Sequence, residues 1–306
     1  MTAGAAAGPR RDPDVQGHFT GPDPDRRPRA SVLIPAHDEE RTIGRLLGDL
    51  ASAHQEGRLE VVVVCNGCTD ATATVARSYG VTVLDLEEPG KSNALTEGEK
   101  VARGEVVVYL DADVEISAAS VETLVAAVEG EQVLAAGPRR RVPRTGVARP
   151  VAWYYDVWES LPSVREGLFG RGVIALSARG AERVRALPPA MSDDLAVSEA
   201  FAPHERRVVD GVEVVVHPPR TVADLVRRRT RVVTGNVQAD GSTLRRPSSR
   251  TGGHTLVALV RTRPYLAPKV AVFLAVGLVA RARARRAVRA GDFSTWERDE
   301  SSRQAG

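Results

Sequence analysis

Apolar residues along this chain fall into two alternating rhythms. SVLIP, Ser31 to Pro35, is a short unbroken apolar run, and TIGRLLGDLASAH behind it places Ile43, Leu46, Leu47, Leu50 and Ala51 at intervals of three and four. The first rhythm suits a strand and the second one face of a helix. EVVVV, Glu60 to Val64, is a β-branched run too uniform for a half-exposed strand, so it predicts a strand buried in a parallel sheet. NGCTD predicts a turn, and ATATVARSYG a helix that ends at Gly80. VTVLDL, Val81 to Leu86, reads as a third strand, and EPGKSNAL as a turn carrying Lys91 and Asn93 before a helix that reaches about Arg103. VVVYL, Val106 to Leu110, is the fourth strand; Val121, Leu124, Val125 and Val128 mark the next helix, and QVLAAG a fifth strand.

Strands alternating with helices over the first 137 residues predict a doubly wound α/β sheet. Ligands of such sheets gather at the carboxyl ends of the strands. Asp38-Glu39-Glu40, Asn66-Gly67 and Asp111-Ala112-Asp113 each follow a strand closely. Their shared edge makes them candidates for one site, although turns and helix caps draw on the same residue types.

The rhythm changes near Pro138. PRRRVPRTGVARP reads as a basic connector, and VAWYYDVWESL crowds aromatic residues together. GRGVIALSARG predicts a strand framed by glycines, MSDDLAVSEAF a helix start with Ser192 as a candidate N-cap, and VEVVVHP a further strand. QADGSTLRRPSSRTGG is polar enough to be a mobile loop.

Charge and composition exclude some functions. A net charge of +3 over 306 residues does not make a polyanion binder of the whole chain. Residues 1–29 lack the apolar stretch of a secretory signal and are rich in Gly, Pro, Asp and Arg, which predicts a disordered tail. The two cysteines, Cys65 and Cys68, sit in one candidate loop with no second pair and no histidine nearby in sequence. They predict neither a zinc site nor a redox pair.

The chemistry-bearing positions start with Asp111 and Asp113. One residue apart at a strand end, their carboxylates point to the same side. No Lys or Arg adjoins them in sequence, so a divalent cation or plain solvent must relieve their repulsion. Taken in order, VLIPAHDEERTI, VVCNGCTDAT, GKSNALTEG, VVVYLDADVEIS and SDDLAVSEA resemble the motifs of a family 2 glycosyltransferase of the GT-A fold, over roughly residues 31 to 235. The resemblance implies a mixed α/β sheet and inverting transfer of a sugar from a UDP- or GDP-linked donor to an acceptor hydroxyl. It also implies Mg²⁺ or Mn²⁺, held on the donor diphosphate by Asp113 and Asp111, where a hard cation with oxygen ligands offsets the charge of the leaving group.

On the same resemblance Pro35, Ala36, His37 and Glu39 hold the nucleoside, Asn66 and Lys91 approach the nucleotide, and Gly172, with Gly170 and Arg171, lies near the donor sugar. Asp193 and Asp194 match the family's acidic pair, and Asp194 is the expected base. Asp70 is as well suited to capping the following helix as to meeting the base. Relatives often carry Asn where this chain has Asp38. Arg228-Arg229-Thr230-Arg231-Val232 occupies the place of the processive Q-x-x-R-W motif; Arg231 is kept to meet phosphate, while the missing Trp argues against polymer synthesis.

Two other classes stay open on the residues alone. A sugar nucleotidyltransferase would need a glycine-rich phosphate loop after the first strand, which IPAHDEERTIG lacks. A sugar-nucleotide-binding module without activity would have no need of both acidic pairs. The expected organisation is a tail over 1–29, a GT-A catalytic domain over 30–235, a loop over 236–253 and a membrane-associating segment over 254–306. In that segment Val270 to Ala280 is uninterrupted apolar sequence, a helix of about 16 Å against a hydrocarbon core of about 30 Å. Five arginines between Arg281 and Arg289 follow. This suits a helix lying in an anionic membrane surface at the cytoplasmic face, beside a hydroxyl acceptor that is lipid-linked or itself a lipid. An ordinary helix packed on the sheet is the alternative. Nucleic acid is not expected, because no aromatic residues interleave with the arginines.

Overall fold

The computed structural model describes residues 27–130, 132–187, 193–239 and 253–289. Seven strands form one mixed sheet in the order β3-β2-β1-β4-β6-β5-β7. β1 (Ala30–Ala36), β2 (Glu60–Asn66), β3 (Thr82–Leu86) and β4 (Val106–Leu110) are parallel, as their apolar runs predict. The crossovers are α1 (Ile43–Gln55), α2 (Thr72–Ser78) and α3 (Lys91–Val101), and α4 (Ala118–Val128) follows β4. β6 (Val173–Leu176) inserts antiparallel between β4 and β5 (Ala135–Arg141), and β7 (Arg206–Val215) runs parallel to β5 at the edge.

The core forms two layers, one on each side of the sheet. Ile43, Leu46, Leu47 and Leu50 of α1 and Val121, Leu124 and Val125 of α4 cover one face, all at most 2% exposed. Ala94 and Leu95 of α3, with Val197 and Phe201 of the segment around α8 (Asp193–Ala200), cover the other. Burial of this many branched side chains, each contributing about 1.5–3 kcal/mol, is what fixes the strand ends in place.

Several boundaries differ from expectation. Pro138–Arg141 is not a connector but the second half of β5, where β7 pairs with it across a register shift between Pro138 and Arg139; a strand paired on one side tolerates the proline. Lys91 and Asn93 lie in the first turn of α3, not in a turn before it. Residues 1–26 of the expected tail lie outside the described residues, but Arg29 is paired with Glu129 at the end of α4. Residues 236–239 of the expected loop are still helical, because α9 runs Val222–Ala239; 240–252 lie outside the described residues.

The C-terminal helices are not an appendage. α5 (Arg149–Ser160), α9 and α11 (Ala267–Arg289) share a core of Val151, Tyr154, Tyr155, Leu225, Val226 and Val276. Tyr154 stacks on Phe273 with ring centroids 4.9 Å apart. α10 (Gly253–Thr262) adds Leu256 beside Val157, Leu161 and Val270. α11 belongs to a helix long and apolar enough to cross a membrane by length and composition, Pro264–Arg286, of which 22% of the most apolar window is buried in the protein.

Candidate active site

The carboxyl ends of β1, β2 and β4 converge as the topology requires, and the loops they carry are tied to one another. Asp38, whose φ is +50°, accepts a 2.6 Å hydrogen bond from the Thr69 N–H. The Glu40 N–H donates to Asp70 Oδ2 and the Ala71 N–H donates to Glu40 Oε2, both at 3.1 Å. Asp70 Oδ1 also accepts the Thr72 N–H at 2.9 Å. Asp70, one residue before the Ala71 N-cap, thus takes up the first N–H of α2, the first of its two expected roles.

Asn66 is 4% exposed and its side chain is committed to the frame. Its Nδ2 donates to the Ala36 carbonyl at 2.8 Å, and its Oδ1 accepts the Gly90 N–H at 2.9 Å. That joins β1, β2 and the start of α3 in one residue. His37 Nδ1 lies 2.6 Å from the Asn66 carbonyl; with a carbonyl as partner this nitrogen carries the proton. Glu39 is 7% exposed, with Thr42 Oγ1 donating to its Oε2 at 2.6 Å and its N–H donating to Thr72 Oγ1 at 2.7 Å. Pro35 and Ala36 end β1, in register with Val64 and Cys65.

Asp111 follows β4 directly and is half-buried. Its N–H donates to the Gly172 carbonyl at 2.8 Å, and Lys91 Nζ lies 2.8 Å from its Oδ1. The antiparallel β6 explains the first contact: Val173 pairs with Leu110, so Gly172 arrives beside Asp111. Gly172 has φ +68°, and a Cβ there would come within 2.4 Å of Val114 and 3.2 Å of Asp111 Oδ2. Only glycine fits. Asp113 is exposed while Ala112 and Val114 are buried, so the two carboxylates share the outward side. Two hard oxygen donors, one already facing a cation at 2.8 Å, fit a divalent metal with the remaining ligands drawn from a diphosphate.

The loop that delivers Gly172 is strapped from below. Arg171, 2% exposed, donates to the carbonyls of Pro138, Arg165 and Gly167 at 2.7–2.9 Å. It thus holds the loop and does not face a donor sugar. Arg140 donates to Phe169, Gly170 and Val164 at 2.8–2.9 Å, with its guanidinium 4.2 Å from the Trp158 ring centroid. Burial pulls both guanidinium groups down, to about 9 for Arg171 and about 10 for Arg140. Both remain cationic at neutral pH. Neither strap was predicted; a sequence gives no sign that an arginine will spend its donors on carbonyls.

The acidic pair Asp193-Asp194 opens α8, and Ser192 lies outside the described residues. α8 is fastened to the same loop, because Ser198 Oγ accepts the Leu168 N–H at 2.9 Å. Beyond Asp113, Glu115 meets Arg45 at 2.6 Å and His217 Nε2 at 3.0 Å. The His217 contact, with that of Arg45, outweighs burial and holds the Glu115 carboxyl below its usual range. Arg228 of α9 donates to the His217 carbonyl at 3.3 Å, which brings the basic run toward the D-x-D turn. Arg231 is half-buried on α9, three residues further on.

The expectation of no histidine near the cysteines fails in space. His37, Asp38 and Cys68 bring ligand atoms within 4.8 Å of one another at the β1 and β2 ends. Sequence distance hid this, since parallel pairing of β1 and β2 joins residues about thirty apart. Cys65 is buried, and burial with the neighbouring Cys68 pushes its thiol up to about 12. It is a core residue, not a nucleophile.

A mixed sheet of this order, with acidic residues at the ends of β1, β2 and β4 and an antiparallel β6 between β4 and β5, is a GT-A-type fold. Residues 31–172 match the model of glycosyl transferase family 2. Among curated relatives, 4,4'-diaponeurosporenoate glycosyltransferase of Staphylococcus aureus is 39% identical over 102 residues, or 31% of this chain. The match covers 27% of that enzyme's length. Two solved structures share the fold. A mannosyltransferase from Pyrobaculum calidifontis, in complex with GDP-Man and Mn²⁺, has a TM-score of 0.59 at 23% identity, over 89% of this chain and 83% of the other. Glucosyl-3-phosphoglycerate synthase from Mycobacterium tuberculosis, with Mn²⁺, UDP-glucose and glycerol 3-phosphate, has 0.53 at 24%, over 70% and 80%.

Proposed function

We propose that this protein transfers a sugar, with inversion, from a nucleotide diphosphate-sugar to an acceptor hydroxyl at the cytoplasmic face of a membrane. The observation that carries the reading is Asp111, held against Gly172 and facing Lys91 Nζ at 2.8 Å, on the edge where three strand-end loops meet. Asp113 and Asp111 would hold Mg²⁺ or Mn²⁺ there, and the ion would supply charge stabilisation to the departing diphosphate. Lys91 sits where it can exchange one anion for another, from the carboxylate to a phosphate oxygen. The frame of Pro35, Ala36, His37, Glu39 and Asn66 is the wall for the nucleoside, and Gly172 lets the donor approach the backbone.

Inversion needs a base on the face opposite the leaving group. Asp194 takes the proton of the acceptor hydroxyl; the oxygen forms its bond to the anomeric carbon as the bond to phosphate breaks, and the electron pair leaves with the nucleoside diphosphate. Asp193 beside it is a positioning residue, and Arg231 meets the phosphate oxygens of the donor. The solved relatives bind GDP-Man or UDP-glucose with Mn²⁺, which supports a donor of this class without choosing the base.

The membrane part of the reading rests on α11. Its outward face, Ala267, Ala271, Leu274, Ala275, Leu278 and Ala282, is apolar where a soluble helix would be polar. One face packs on α5 and α9, so the helix lies along the domain with the other face in the lipid interface. A hydroxyl acceptor in or on the membrane would then be in reach. The test is nucleotide release from a panel of UDP- and GDP-sugars with Mn²⁺, with and without lipid extract. Release that needs both metal and lipid supports the reading; pyrophosphate consumption would replace it with nucleotidyl transfer, and no release from any donor with a binding module.

A further inference from the structure

Away from the sheet edge, a cleft of about 480 Å³ opens where α5, the short helix α6 (Pro162–Glu166) and the start of α11 meet. Its charged lining is Asp156, Glu159, Arg165, Arg263 and Lys269, with Tyr265 at the rim, 64% exposed. The two acids are already neutralised. Lys269 Nζ lies 2.7 Å from Asp156, and Arg144 reaches both Asp156 and Glu159. Arg165 and Arg263 are different: among the described residues neither guanidinium has a carboxylate, carbonyl or ring as partner. Two uncommitted guanidinium groups facing one cleft favour a ligand with several oxygens in a forked arrangement.

The surroundings narrow the ligand. The apolar outward strip of α11 begins at the cleft with Ala267 and runs to Ala282, about 24 Å at 1.5 Å per residue. An exposed tyrosine stands at the junction, the position amphipathic rings take at headgroup level. Cationic groups at one end of an uncharged apolar track match an anionic head on acyl chains. We infer that the cleft between α5 and the start of α11 binds the phosphate of an anionic glycerophospholipid through Arg165 and Arg263, with the acyl chains along the outward face of α11. The inference rests on the membrane reading above and adds to it a specific headgroup site.

Flotation of the full chain on phosphatidylglycerol or phosphatidylcholine vesicles tests it. The wild type is expected to bind the anionic vesicles at least tenfold more tightly. R165Q/R263Q should lose about thirtyfold on anionic vesicles, the value of two interfacial arginines at about 1 kcal/mol each, and nothing on neutral ones. R281Q/R283Q, which removes the same charge from α11 outside the cleft, should lose less than threefold. R165K/R263K should recover part of the affinity, and unchanged melting curves exclude misfolding. Equal losses in the two glutamine doubles would mean diffuse attraction and overturn the site. So would displacement of the wild type by inorganic phosphate at chloride-matched ionic strength, which would make the cleft a free-phosphate site. Equal wild-type binding to both vesicle types sinks the headgroup site and leaves the membrane reading standing; no binding to either sinks both, while metal-dependent donor turnover remains a separate measurement.

Discussion

Leucines in the sheet domain and leucines on α11 obey opposite rules. Leu33, Leu47 and Leu50 are fully buried between sheet and helices. Leu274 and Leu278, in the apolar run of α11, are 45% and 63% exposed. A domain stabilised only by its own core places its polar residues outside, as α1 does. α11 does so on neither side: inward lie Val270, Val276 and Ala280, outward lie leucine and alanine, and apart from Lys269, paired with Asp156 in the first turn, charge is deferred to Arg281 and beyond. The contrast teaches that the sheet is a self-contained scaffold for the site, whereas the described residues leave the outer face of α11 uncovered.

The largest expected effects strike the scaffold's edge. Asp113→Asn removes an anionic oxygen donor and should lower turnover by about 10²–10³-fold, several kcal/mol of charge stabilisation at 1.36 kcal/mol per tenfold. Calorimetry should show that Mn²⁺-dependent donor binding goes with it. Binding that survives intact would place the cation elsewhere, and the His37, Asp38 and Cys68 group would be the next position to mutate. Asp194→Asn should abolish transfer yet keep donor affinity, since the base acts only on the acceptor; wild-type turnover would move the role to Asp193.

Paired leucines sharpen the comparison on stability. Leu50→Ala empties a fully buried position and should cost about 2–5 kcal/mol. Leu278→Ala, at 63% exposure, should stay within about 0.5 kcal/mol in denaturant titration. The function of the outer face is read separately with L274E/L278E. That variant should leave the membrane fraction while melting as the wild type does. A folded variant still bound to membranes would show that the outward strip of α11 meets something other than lipid. Deleting the helix is a poorer test, because its inner face completes the core with Tyr154 and Val226.

How much of this was legible depended on whether contacts are local. β1 to β4 and their helices were readable because each buried run carries its own period, and the motif order located the edge where Asp111 lies. Gly172 came from the resemblance, but its reason did not. Only an antiparallel β6 between β4 and β5 sets it against Asp111, and strand order is a property of distant pairing. The same holds for Arg171 and Arg140, whose carbonyl partners lie on a folded-back loop, and for His37 beside Cys68. Pro138–Arg141 misled because a proline and three arginines look like a linker, yet at this position only β7 needs their backbone. For α11 the apolar run of Val270 to Ala280 was visible, but which of its faces was covered was not. Hydrophobicity says that a side chain avoids water; it does not say what replaces the water.

The smallest effect concerns acid, and it again separates the two regions, since α11 carries no carboxylate of its own. Glu205, before β7, accepts from Arg183 at 2.7 and 3.0 Å and from the Ala202 N–H at 2.8 Å. The Arg183 hydrogen bonds first, then the Ala202 N–H, hold its carboxyl down to about 2 from an ordinary 4.5. A folded pKa below the unfolded one means that this stabilisation is complete above pH 4.5 and is lost as the pH falls through about 2. Glu205→Gln should therefore lower the melting temperature modestly at neutral pH, and its disadvantage should shrink steadily on acidification across that window. Arg183 is itself more than a third exposed, so salt should blunt the difference as well. Parallel melting curves for wild type and Glu205→Gln down to the acid limit would mean that the Arg183–Glu205 pair is formed equally in the unfolded chain, and that acid loosens the scaffold through some other carboxylate.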